Sequence, residues 1–124
     1  MEEHDVYAAI GEEGFARLVA AFYSRVPQDA ILGEIYKGRD LAAAEQHLRD
    51  FLIYRFGGPL RYLEERGHPR LRMRHAPFAI DGAARDRWME LMTAALDESM
   101  FAPEVRSTLL AYLGPAAAAM INRE

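Results

Sequence analysis

"GFARLVAAFYSRVP", residues 14 to 27, is the stretch on which the reading of the fold turns. Phe15, Leu18, Val19, Phe22, Tyr23 and Val26 recur at i, i+3, i+4, i+7, i+8 and i+11. That spacing places all six on one face of a helix, and Pro27 ends it because its ring cannot continue the ladder. Ahead of it, Val6, Tyr7 and Ile10 form a short helical patch that Gly11 is expected to break. Behind it, "QDAILGEIYKGRD" mixes Gly33 and Gly38 with turn formers and reads as loop or short irregular turns carrying Ile35 and Tyr36 inward.

The rest of the chain follows the same period. Asp40 is a plausible N-cap for "LAAAEQHLRDFLIYRF", with Leu41, Ala44, Leu48, Phe51 and Leu52 on one face and Gly57-Gly58-Pro59 as the stop. A short turn around Tyr62 and Leu63 ends at Gly67. Asp81 caps a helix whose inward face is Ala84, Trp88, Leu91, Met92 and Ala95. Pro103 suits the first turn of a last helix with Leu109, Tyr112, Leu113 and Met120 inward, and Pro115 predicts a kink or break near its end. No repeat and no convincing strand appears. The expectation is one all-α domain over 1–124, built from about four substantial helices and some shorter ones.

Composition narrows the function classes. The chain has 124 residues, is 51% hydrophobic and 27% charged, and so has enough apolar material for one core. A net charge of −4 gives no general attraction to nucleic acid. There is no cysteine, which excludes disulfides and thiolate metal sites. The acidic start lacks an apolar run behind it and no stretch has the length of a membrane span, so no membrane association and a cytoplasmic location are expected.

Chemistry concentrates in "RGHPRLRMRHAPFAI", residues 66 to 80. His4 lies at the N-terminus, and Pro69 biases His68 toward a structural role. Glu65 and His68 have the Glu-x-x-His spacing of di-iron bundles, but Gly67 and Pro69 break the helix and no second copy exists. His75 differs. As a helical turn, Leu71, His75 and Phe78 share a face; as an extended strand, Leu71, Met73 and His75 do, opposite Arg70, Arg72 and Arg74. Both readings aim the imidazole inward and rim it with guanidinium groups. One imidazole does not hold a bare metal, but it can hold a metal that brings its other ligands, and haem is such a cofactor, with two propionates for cationic partners.

"GHPRLRMRHAPFAI", then "RDRW", with "FY" at 22–23 and "GGP" at 57–59, resembles the group II truncated haemoglobins, in register from about residue 6 to the C-terminus. The resemblance implies a two-over-two helical sandwich around haem b. It implies His75 as the proximal ligand, Tyr23 as the distal tyrosine, Tyr36 as the aromatic after the loop, and Trp88 as the tryptophan projecting over the iron. Ala44 stands where many globins carry a distal histidine, with Leu48 one turn later. Tyr62, Arg74 and His47 match positions that reach the propionates. Three departures stand out: Gly11-Glu12 replaces a glycine pair, Phe56 replaces a tryptophan, and Pro115 interrupts the last helix.

Taken alone, Tyr23 and Trp88 read as core aromatics and Tyr36 as a loop anchor. Their donors are nevertheless awkward in a dry core, because each needs a partner or costs roughly 1–3 kcal/mol. The expected function is reversible binding of oxygen and other small diatomic ligands, held by Tyr23, Tyr36 and Trp88. The alternative is an enzyme turning over nitric oxide or peroxide with electrons from an external reductase. A cofactor-free helical interaction module is a third reading, and a homodimer is compatible with all of them.

Overall fold

The computed structural model describes residues 1–60 and 80–122. Five α-helices run through them: α1 Val6–Arg25, α2 Ala30–Ile35, α3 Leu41–Arg55, α4 Gly82–Ser99 and α5 Pro103–Ala119. Short 3-10 turns occupy Glu3–Asp5 and Val26–Gln28. No strand occurs among the described residues.

α1 forms because its apolar stripe has somewhere to go. Phe15, Leu18, Val19, Phe22 and Val26 are fully buried and Tyr23 nearly so. Each such burial contributes on the order of 1.5–3 kcal/mol. α1 packs on α3 and α4, and α5 covers α4. Gly11, at φ 65° and ψ −178°, kinks α1 between the Val6–Ile10 patch and the main stripe, as the sequence predicts. A side chain at that φ would be strained.

The caps follow the sequence. Asp40 accepts a hydrogen bond from the Ala43 amide at 3.1 Å, and Asp81 from the Ala84 amide at 2.8 Å. α3 stops at Arg55, and Gly57 turns the chain at φ 98°. A Cβ there would lie 2.1 Å from the His4 carbonyl oxygen, so the opening segment crosses the end of α3 only because residue 57 is glycine. The Tyr7 amide donates to the Phe56 carbonyl at 3.0 Å and ties the two segments together. Phe56 is fully buried between Phe15 and Tyr112.

Two expectations need correction. Residues 30–35 are a helix rather than loop: Asp29 caps it, accepting from the amides of Ile31 at 3.1 Å and Leu32 at 2.9 Å. Pro115 does not break the last helix, which continues to Ala119. Ala111, whose carbonyl Pro115 leaves without an amide partner, lies with Pro115 on the exposed face, where water can take that role.

Candidate functional site

Three aromatic donors converge. Tyr23, near the end of α1, meets Tyr36, the C-cap of α2, edge to face, with ring centroids 5.9 Å apart and planes at 90°. Phe22 stands beside them, 5.0 Å from Tyr23 and 5.1 Å from Trp88 of α4. Adjacent residues of α1 therefore contact the two other aromatics from separate elements. The Tyr23 and Tyr36 hydroxyls lie close enough to perturb each other's ionisation. Burial pushes the Tyr23 hydroxyl well above the ordinary tyrosine range, and the nearness of Tyr36 and Glu45 adds to it. Burial also raises Tyr36, while its interaction with Tyr23 opposes the rise. Each hydroxyl can both donate and accept.

An apolar surface lies on the facing elements. Leu41, Ala44 and Leu48 of α3, and Trp88 and Leu91 of α4, are only partly buried although they belong to inward stripes. In the same two helices Phe51, Leu52, Met92, Ala95 and Leu96 are buried. His47 is exposed, on the flank of that stripe. The expected site residues Tyr62, Arg74 and His75 lie outside the described residues, as do His68 and the Tyr62–Leu63 turn. Among the described residues, no group of three or more histidine, aspartate or glutamate side chains gathers as a metal site.

A bacterial-like globin family model matches residues 5–122. The chain is 39% identical over 117 residues to the group 2 truncated haemoglobin YjbI of Bacillus subtilis, covering 94% of this chain and 88% of that one. The chain belongs to the group II truncated haemoglobins.

Solved truncated haemoglobins share its shape. The haemoglobin of Chloroflexus aurantiacus superposes with a TM-score of 0.90 at 48% identity, over 95% of this chain and 98% of that one. That of Thermobifida fusca gives 0.90 at 47% identity, over 94% and 96%. The fold of this truncated haemoglobin is the two-over-two globin fold. Its family cofactor is haem, and the residues present fit one. A flat, largely apolar macrocycle would cover the half-buried faces of Leu41, Ala44, Leu48, Trp88 and Leu91, and it would bring a polar ligand up to hydroxyl and indole donors set in otherwise apolar surroundings.

Two residues of the site escape a reading of the sequence. Asp29, 9% exposed, accepts on Oδ1 from Nε of Arg87 at 2.8 Å and also from its Nη2. Arg87 immediately precedes Trp88 and also pairs with Glu90. The Arg87 hydrogen bonds, then the backbone amides of α2, hold the Asp29 carboxyl below the usual aspartate range. An aspartate just before an apolar run is an N-cap signal, and in "QDAIL" it is outweighed by the glycines that follow.

Proposed function

We propose that this truncated haemoglobin carries haem b on His75 and retains oxygen through Tyr23, Tyr36 and Trp88, with no distal histidine. When bound, haem supplies the ferrous centre at which a diatomic ligand is taken up. The Tyr23 and Tyr36 hydroxyls and the Trp88 indole N–H are the donors available to a ligand carrying partial negative charge. Their surroundings are largely apolar and would be shielded from water by the macrocycle, where such hydrogen bonds are stronger than in water. Ala44 is too small to block or bond the ligand. Arg74, Tyr62 and His47 serve the propionates, the guanidinium as a fork that matches carboxylate.

The observation that carries this reading is the edge-to-face Tyr23–Tyr36 pair, joined through Phe22 to Trp88, on a half-covered apolar face. A truncated haemoglobin of Bacillus subtilis, 39% identical in a chain that superposes with a TM-score of 0.89, is described as oxygen-avid, which supports retention over rapid exchange. The cytoplasm, with an external reductase supplying electrons, is the proposed setting. The test is stopped-flow oxygen dissociation from the haem-loaded protein. Tyr23→Phe and Trp88→Phe should each raise the off-rate several-fold. Unchanged rates in both would overturn the donor reading. Mixing the oxygenated protein with nitric oxide, with and without a reducing system, then separates binding from turnover.

A further inference from the structure

α2 has little to hold it. It is six residues long, far below the length at which a helix is stable by itself. Leu32 is its one buried side chain. Gly33 lies against the preceding 3-10 turn, where a Cβ would be 3.2 Å from the carbonyl oxygens of both Val26 and Pro27. Its polar attachment is Asp29, whose two carboxylate oxygens divide the work. Oδ2 accepts from the Ile31 and Leu32 amides at the start of α2, while Oδ1 accepts from the Arg87 fork on α4. The pair spans 58 residues of sequence. Its two ends adjoin the ligand donors: α2 runs from its cap at Asp29 to its cap at Tyr36, and Arg87 is followed directly by Trp88.

We propose that the Asp29–Arg87 pair is a positioning clamp that fixes the Tyr36 hydroxyl relative to Trp88, making Arg87 and Asp29 positioning residues for ligand retention. The inference rests on the donor reading above. It goes beyond it because neither residue reaches the ligand: each acts through Tyr36. Two N–H groups of one planar guanidinium converging on a single carboxylate oxygen fix orientation as well as distance, which a lysine at position 87 does not. A shift of the short helix by a fraction of an ångström moves its C-cap tyrosine by the same amount, and hydrogen bonds weaken steeply with such displacement.

The experiment uses haem-loaded protein and reads three quantities: the oxygen off-rate, the C–O stretching band of the carbon monoxide complex, and amide hydrogen exchange of residues 30–36. Asp29→Asn keeps a capping oxygen for α2 but loses the charge on Arg87. Arg87→Met removes the fork and keeps the stem, and Arg87→Lys keeps only the charge. Asp29→Asn and Arg87→Met should raise the off-rate roughly three- to tenfold, which corresponds to about 0.7–1.4 kcal/mol of lost retention. They should also split or shift the C–O band and speed exchange in α2, with Arg87→Lys intermediate. On a Tyr36→Phe background the same changes should add nothing, because they act through that hydroxyl. If the clamp variants lower the melting temperature while the off-rate and C–O band keep their wild-type values, the pair is structural only and the inference fails. If Tyr36→Phe alone leaves both readouts unchanged, it is the donor reading that falls, and the clamp's role in retention falls with it. Should Arg87→Met not fold, Asp29→Asn decides the matter.

Discussion

The two halves of α3 carry one apolar stripe and meet different surroundings. Toward the C-terminal end, Phe51, Leu52 and Ile53 are buried against the rest of the protein. Toward the N-terminal end, Leu41, Ala44 and Leu48 are only partly covered. In α4 the same contrast is local, with Ala84, Met92, Ala95 and Leu96 buried and Trp88 and Leu91 between them partly so. One end of the sandwich is a protein core whose apolar surface is satisfied by other side chains. The other is an apolar surface only partly covered, where the proposed haem would lie. Helical periodicity treats the ends alike, because it records which residues face inward and not what they face.

The largest effect that would break this contrast is at the cofactor end. His75→Ala is expected to abolish stable iron ligation, read as a lost or displaced Soret band and rapid haemin transfer to a competing apoglobin. Retention of a normal pentacoordinate spectrum would show that another residue is the ligand. Next comes a matched pair in α3. Leu52→Ala, at a fully buried site, should cost about 2–5 kcal/mol of unfolding free energy in both the haem-free and haem-loaded protein. Leu48→Ala should cost under about 1 kcal/mol in the haem-free protein and distinctly more in the loaded one, measured by urea unfolding of each form. Equal costs in the two forms at position 48 would mean that no cofactor covers that face.

The smallest effect concerns pH at the join between the ends. Hydrogen bonds from Arg87, and then from the α2 amides, hold the Asp29 carboxyl below its ordinary range in the folded protein. The unfolded chain therefore takes up this proton more readily, and stability rises with pH across the interval between the two states. The stabilisation is fully present above the ordinary aspartate range and is lost as pH falls below it, through the lowered folded-state value. Unfolding measured from about pH 6 down to about pH 3 should show a shallower acid decline in Asp29→Asn than in wild type. Parallel curves would mean that Asp29 titrates alike in both states.

Much of the fold is legible in the residues alone. The α1 stripe, the Gly11 break, the Asp40 and Asp81 caps and the stop at Gly57 all follow from local rules, because periodicity and capping are properties of neighbouring residues. The two departures, at α2 and at Pro115, have a common origin. Gly33 reads as a loop residue on its own, but it is there because α2 approaches the backbone of the preceding turn closely. Pro115 reads as a break on its own, but it lies on a solvent-facing side where the lost amide bond is tolerated. In each case the deciding quantity is what lies beside the residue in space.

By itself, the sequence determined that this chain is all-α, which faces of its helices turn inward, and which family its proximal motif resembles. Only the tertiary structure decided that Tyr23 and Tyr36 meet edge to face, that Trp88 meets them across Phe22, and that Asp29 reaches Arg87. The physical reason is range. Helix periodicity and caps act over three or four residues and can be counted along the chain. Contacts between residues 29 and 87 exist only after the helices have packed, since they depend on the angle and depth at which one side-chain surface meets another.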